Sequence, residues 1–120
     1  MPSAVGQTTK TLAPYTPAVK SHGLIYVSGQ LGMKDGKLLD GVEAQTRGAL
    51  ENLKALLESA GSSLAKTVKC TVYIKNMDDF DAINKVYATF FQDWKPARVC
   101  VEVARLPIDA LIEIDAIAEE

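Results

Sequence analysis

Two segments with helical periodicity, separated by a strand-like run, leave few folds open to this chain. The first follows the turn at Asp40-Gly41 and should end at Gly61, because glycine readily adopts the left-handed conformation that closes a helix. The second begins near Asn76 or Asp78, either of which can cap it, and Pro96 prevents its continuation. The apolar or small positions are Val42, Ala49, Leu50, Leu53, Leu56, Leu57 and Ala60 in the first helix, and Phe80, Ile83, Tyr87, Phe90 and Phe91 in the second.

Runs with strand character surround these helices. They extend from Leu24 to Ser28, from Val68 to Ile74, from Arg98 to Val103 and from Ile112 to Ala118, with a short additional strand possible near Thr9 to Leu12. Strands first, then helix, strand, helix and two strands describe an α+β domain with both helices on one face of a mixed sheet. With 120 residues, the chain has room for a single core, so residues 1–120 are expected to form one domain.

Alternation within the strands predicts which side chains face the helices. The expected helix-facing residues are Val68, Cys70, Val72, Ile74, Val99, Val101, Val103, Ile112, Ile114 and Ala116. Arg98, Cys100 and Glu113 are then expected together on the second face. That face is either solvated, as in many antiparallel sheets, or buried in an oligomer. Its apolar members, Cys100 and Ile117, favour burial between subunits, as does the spare apolar surface of a small chain.

Charge and composition exclude several classes of function. The 13 basic and 15 acidic residues give a net charge of −2 without a cluster of Lys or Arg, which disfavours nucleic acid as a partner. The N-terminal stretch lacks the apolar region of a signal peptide, and no run approaches the ~20 apolar residues that span a bilayer. No membrane association is expected, and the expected location is cytoplasmic.

The supply of cysteine and histidine argues against a metal centre or a histidine-based triad. Cys70 and Cys100 lie far apart in sequence, and His22 is the sole histidine. Cys70 is interpreted as a buried free thiol in a reducing compartment.

Four features are candidates for chemistry. Tyr15 lies between two prolines and either closes a pocket or packs in a loop. Ser28-Gly29 ends a strand, where glycine permits close approach to a ligand. Asn84 bonds either a ligand or a neighbouring loop. Arg98 starts a buried-type strand, where an unpaired charge is costly unless a carboxylate meets it.

The motifs resemble those of the Rid (YjgF) family of reactive intermediate deaminases over nearly the whole chain. The most specific match is Pro96-Ala97-Arg98 with its hydrophobic strand, followed by Arg105-Leu106-Pro107 and Ile112-Glu113-Ile114. Ser28-Gly29-Gln30 and Asn84-x-x-Tyr87 add independent support.

The resemblance implies a chorismate-mutase-like homotrimer with active sites between subunits. It implies hydrolysis of 2-iminobutanoate and 2-iminopropanoate to 2-oxo acids and ammonia without a cofactor. It assigns Arg98 to the substrate carboxylate and Glu113 to the attacking water, as the catalytic pair. The other substrate-binding positions that it implies are Tyr15, Ser28, Gly29, Asn84 and Cys100.

Two other interpretations stay open. A noncatalytic module that binds small carboxylates such as 2-oxo acids would use Arg98 in the same way. RNA cleavage or translation inhibition, attached to some relatives, is disfavoured by the acidic balance. Many family members read Gly-Pro-Tyr-Ser-Gln-Ala where this chain has Ala13-Pro14-Tyr15-Thr16-Pro17-Ala18, which predicts a different entrance loop.

Overall fold

The strands predicted from the sequence pair into one mixed sheet covered by helices. In the computed structural model, which describes residues 1–6 and 11–120, this sheet has the order β1-β2-β3-β8-β6-β7. Its strands are β1 (Ser3–Val5), β2 (Ala18–Ser21), β3 (Leu24–Leu31), β6 (Thr67–Ile74), β7 (Ala97–Glu102) and β8 (Ile112–Glu119), and β4 (Met33–Lys34) pairs separately with β5 (Lys37–Leu38). Only the β6–β7 pairing is parallel among these, and the mixed α+β fold is confirmed.

Both helices form where their periodicity predicts. The first, α1 (Val42–Ser59), is followed by Gly61 with a φ of 82°, and the Gly61 amide donates to the Glu58 carbonyl. The second, α2 (Phe80–Phe90), continues a short 3-10 turn at Met77–Asp79 that Asn76 caps by accepting from the Asp78 amide. No helix in the described residues is long and apolar enough to cross a membrane.

The core lies between the helices and one face of the central strands. Its fully buried large residues include Leu50, Leu53 and Leu57 from α1, Ile83 from α2, and Ile25, Val72, Ile74, Ile112 and Ile114 from the sheet. Cys70 is completely buried as a free thiol in this core, as the sequence predicts.

The predicted orientation of Val68 is wrong. The register of β6 against β8 shifts between Thr67 and Lys69, which is a β-bulge. A bulge inserts one residue and changes the alternation of side chains. Thr67 therefore takes the buried position, and Val68 is 43% exposed.

The predicted orientation of β7 is inverted. Within the parallel pair, Arg98 is aligned with Cys70 and Cys100 with Val72, two fully buried residues of β6. Aligned residues of paired strands project to the same face, so Arg98 and Cys100 lie on the helix side. Val99 and Val101 project to the second face instead, where they are 43% and 38% exposed.

The N-terminal part also differs from expectation. Thr9 and Lys10 of the predicted first strand lie outside the described residues, and residues 11 and 12 are not in a strand. Ser28 and Gly29 do not end β3, which continues to Leu31. They lie at a bulge within it, because the register against β8 shifts between Val27 and Gln30.

Candidate functional site

Arg98 is held against α2 at the edge of the sheet. Its Nη1 donates a 2.7 Å hydrogen bond to the Asn84 side-chain oxygen. The guanidinium carbon lies 4.9 Å from the centre of the Tyr87 ring and 5.7 Å from that of the Phe80 ring, within the range of cation–π attraction. The sequence motif Asn84-x-x-Tyr87 thus places an amide and an aromatic ring one helical turn apart, both on the arginine.

Arg98 has no carboxylate partner in residues 1–6 and 11–120. All 15 Asp and Glu residues lie in the described ranges, and the ion pairs there involve Lys20 with Glu120 and Arg105 with Asp109. A half-buried guanidinium that donates one side-chain hydrogen bond retains donors for an external acceptor. Its planar fork matches a carboxylate in geometry and charge.

Two cysteines lie beside Arg98 and are poor nucleophiles. Burial raises the pKa of the Cys100 thiol, and nearby Arg98 offsets that effect only in part. Burial also raises the pKa of Cys70, to about 11, against smaller opposing contributions from Tyr87 and Arg98. Because the thiolate is the reactive form, neither group suggests covalent catalysis.

The Tyr87 hydroxyl is buried at the base of this cluster. Burial, followed by the nearby Cys70, raises the pKa of this phenol. The two groups are close enough to perturb each other, yet the hydroxyl has no hydrogen-bond partner among the described residues. Its ring contributes a face for Arg98, and its hydroxyl stays protonated.

Glu113 forms the centre of a second cluster, on the other face of the sheet. It packs directly over Gly29, where a Cβ atom would lie 2.6 Å from the Glu113 carboxyl carbon and from Oε2. Glycine lets the carboxylate lie at this distance, because a Cβ at 2.6 Å is far below van der Waals contact and would force the Glu113 side chain to move. Gly29 therefore allows the present position of Glu113.

Ser28 and Tyr15 belong to the same side of the site. The Ser28 hydroxyl donates a 2.6 Å hydrogen bond to the Thr16 carbonyl, and the Ser28 amide donates to the Pro17 carbonyl. This hydrogen bond from the Ser28 hydroxyl thus holds the backbone next to Tyr15 in place. Tyr15 itself is 44% exposed and lines an open groove with Gly29.

Burial and one charged neighbour influence Glu113. Partial burial, and then the charge of Asp115, raise the pKa of the Glu113 carboxyl. Asp115 in turn accepts a 2.9 Å hydrogen bond from the Tyr73 hydroxyl, which is the main cause of a raised Tyr73 pKa. Alternation along β6 predicts that Tyr73 lies on this face, because Val72 and Ile74 are buried in the core, but it does not predict the bond with Asp115, since alternation gives a face and not a partner.

The structure therefore divides the predicted residues into two groups. We call Asn84, Arg98 and Cys100, with Phe80 and Tyr87, the arginine half, and Tyr15, Ser28, Gly29 and Glu113 the carboxylate half. The expected grouping of Arg98 and Cys100 with Glu113 on one face is wrong, for the register reason given above. Strand β6 lies between β7 and β8, so the two halves are separated laterally by about 10 Å as well as by the sheet.

Comparison with known proteins gives one family. The model of the family described as endoribonuclease L-PSP matches residues 5–120. A RutC family protein of Pyrococcus horikoshii is 50% identical over 112 residues, which cover 91% of this chain and 89% of the relative. A Salmonella typhimurium protein named 2-iminobutanoate/2-iminopropanoate deaminase is 43% identical over 122 residues, which cover 98% of this chain and 90% of the relative.

A solved structure shares the whole fold. The crystal structure of E. coli TdcF with bound serine superposes with a TM-score of 0.93 at 37% identity, covering 98% of each chain.

Proposed function

Because this chain belongs to the endoribonuclease L-PSP family, which includes the Rid (YjgF) proteins, we propose that it hydrolyses reactive enamine/imine intermediates. The proposed substrates are 2-iminobutanoate and 2-iminopropanoate, and the products are the 2-oxo acids and ammonia. The observation that carries the proposal is Arg98, a guanidinium held by Asn84 and two aromatic rings without an internal carboxylate.

The arginine half is suited to the carboxylate of a 2-imino acid. The Asn84 oxygen and the two rings hold the guanidinium plane, which leaves its remaining donors for two parallel hydrogen bonds to a carboxylate. Fixing the carboxylate also fixes the imine carbon, which is directly bonded to it. The serine bound to the E. coli relative also carries its nitrogen and carboxylate on one carbon.

The carboxylate half is suited to the attack of water. In the proposed reaction, water adds to the carbon of the protonated imine, its proton passes to Glu113, and the C=N π electrons move to nitrogen. Glu113 then returns the proton to the amine nitrogen. As the C–N bond breaks, the hydroxyl oxygen forms the C=O bond and gives its proton to Glu113, which releases the 2-oxo acid and ammonia. A partly desolvated carboxylate with a raised pKa is a better proton acceptor than a fully solvated one.

The complete site requires two copies of the chain. The carboxylate and the imine carbon of the substrate are adjacent atoms, whereas Arg98 and Glu113 project from opposite faces of one sheet. One chain therefore cannot apply both residues to one small substrate. We propose a homotrimer in which the arginine half of one subunit faces the carboxylate half of the next.

The exposed valines support burial of the second face by other subunits. Val99 and Val101 are apolar and substantially exposed in a single chain, together with Tyr26, which is 45% exposed. An apolar patch of this kind typically marks an interaction surface. We propose further that the protein acts in the cytoplasm without a cofactor.

A noncatalytic module for 2-oxo acids uses the same arginine half but does not require Glu113. The test is to generate 2-iminobutanoate with an amino-acid oxidase and to trap the surviving imine with semicarbazide. Wild-type protein is expected to reduce trapping, and Arg98→Ala to lose about 100-fold or more of that activity. Arg105→Ala is the matched control, since Arg105 is an exposed arginine paired with Asp109.

Absence of turnover by the wild-type protein would contradict the deaminase proposal. Binding of 2-oxobutanoate without turnover would favour the noncatalytic module. Because the family description includes an endoribonuclease, RNA is assayed in parallel; RNA cleavage without imine turnover would favour that activity instead.

A further inference from the structure

Three polar groups form a connected row on the second face of the sheet. Glu113 and Asp115 are two residues apart on β8, so their side chains leave the same face about 7 Å from each other. Tyr73 of β6 is the direct cross-strand partner of Glu113, yet its hydroxyl donates to Asp115 Oδ2 at 2.9 Å. The Tyr73 ring therefore points along the sheet toward Asp115, and its hydroxyl holds the Asp115 carboxylate beside Glu113.

Few other charges face Glu113. Lys69 projects from β6 on this face, and Lys75, which directly follows β6, donates from its ammonium to the Ala104 carbonyl. On β3, Leu31 is the cross-strand partner of Glu113, Gly29 is uncharged, and the nearest titratable residue of this face is Tyr26. From β7, Val99 and Val101 project here, while Arg98 lies on the helix side. Asp115 is therefore the nearest negative charge that acts on Glu113 from within the chain.

We propose that Asp115, anchored by the Tyr73 hydroxyl, is a positioning residue that makes Glu113 a stronger base. This inference rests on the proposed deaminase function and extends it to two residues that the family motifs do not single out. Neither residue touches the substrate. Asp115 acts through its charge on Glu113, and Tyr73 acts by fixing the place of that charge.

The physical basis is repulsion between like charges. A second carboxylate nearby disfavours ionisation of Glu113 and so strengthens its affinity for a proton. Without Tyr73, Asp115 can rotate toward water, and its effect on Glu113 declines with distance and solvent screening. A base is most effective when its pKa approaches the working pH while its ionised form still dominates.

The test compares Asp115→Asn and Tyr73→Phe with wild type. The base must be ionised, so activity is lost as the pH falls through the Glu113 pKa. Removing the charge of Asp115 should move this acid limb of kcat/KM about 0.5–1 pH unit lower. Tyr73→Phe should move it in the same direction by about half as much. Glu119→Gln is the control, because it changes an exposed carboxylate of the same strand and should leave the limb in place.

A second measurement reports on Glu113 without turnover. The carboxyl carbons of protein labelled with 13C at glutamate are titrated by NMR, and Glu113→Gln identifies the Glu113 signal. We expect its titration midpoint to be lower in Asp115→Asn and in Tyr73→Phe. Coincident titrations of Glu113 in all three proteins would overturn the inference, even if the enzyme is active. If the wild-type protein is inactive but the titration midpoint of Glu113 is still lower in Asp115→Asn, the deaminase proposal is contradicted and the effect of Asp115 on Glu113 stands.

Discussion

The two halves of the candidate site differ in how completely one chain builds them. In the arginine half, Arg98 already has an amide, two rings and a fixed orientation, and it lacks only an anion. In the carboxylate half, Glu113 is fixed over Gly29, but the surrounding face exposes valines and a tyrosine. The first half is organised by contacts within the chain, whereas for the second we propose that a neighbouring copy of the chain covers it.

This difference explains why the halves are on opposite faces. A helix covers one side of the sheet and supplies Asn84 and Tyr87 to Arg98. The other side is available for subunit contacts, and it carries the residues that we propose act on a substrate held by the neighbour. Substitutions in each half should therefore affect binding, turnover and assembly differently.

The largest expected effect is on turnover, from Glu113→Gln. The amide keeps the size of the side chain but cannot accept the proton, so kcat should fall about 100- to 1000-fold. Binding of 2-oxobutanoate, measured by calorimetry, should change much less because Arg98 is untouched. Equal losses in turnover and binding would indicate a structural role for Glu113 and remove the distinction between the halves.

A substitution on the second face should disrupt assembly without touching either half. Val101→Lys places a charge in the proposed interface, so it should dissociate the oligomer and lower activity by about 100-fold. Light scattering gives the mass, and circular dichroism checks that the chain is folded. Ala65→Lys, at an exposed position outside this face, is the control. A fully active monomer of Val101→Lys would contradict a site shared between copies.

A smaller effect is expected from adding a methyl group at Gly29. Its Cβ would collide with the Glu113 carboxylate, which must move, so Gly29→Ala should lower kcat about 10-fold or more. The double variant with Glu113→Asp, which has a shorter side chain, should fold at least as stably as Gly29→Ala alone. An unchanged kcat in Gly29→Ala would show that the position of Glu113 is not critical.

The smallest effect should come from the rings of the arginine half. Tyr87→Leu removes a cation–π contact of about 1 kcal/mol and should raise KM about fivefold. Tyr87→Phe keeps the ring and removes only the buried hydroxyl, so its KM should stay close to the wild-type value. Matching increases in both variants would assign the role to the hydroxyl and not to the ring.

The helices and the central strands could be predicted from the sequence because their periodicity reflects one buried face. The orientation of β7 could not. The valines of β7 are more apolar than Arg98 and Cys100. A prediction based on hydrophobicity therefore places the valines, and not Arg98 and Cys100, in the core. Alternation alone does not show that Arg98 is the cross-strand neighbour of the buried Cys70. It also does not show that the Arg98 side chain lies at the edge of the sheet. The outward valines fit the proposed burial of the second face between subunits.

The two β-bulges also could not be predicted from the sequence. A single inserted residue reverses Val68, and another brings Gly29 under Glu113, but neither changes the composition of its strand. The resemblance of the motifs predicted the individual site residues. It was the paired register that separated them into two halves, and local sequence carries little information on register between distant strands.

The most direct measurement of the central claim is complementation between two inactive variants. Arg98→Ala and Glu113→Gln chains, carrying different tags, are mixed in equal amounts, unfolded and refolded together, and the mixed oligomers are isolated through both tags. If each site combines the arginine half of one copy with the carboxylate half of another, roughly a quarter of the sites in a random mixture regain both residues. Each isolated trimer that contains both kinds of chain has one such site in three, so we predict recovery of about a third of wild-type imine hydrolysis from parents that are each nearly inactive. Mixed oligomers as inactive as their parents would contradict a site shared between two chains.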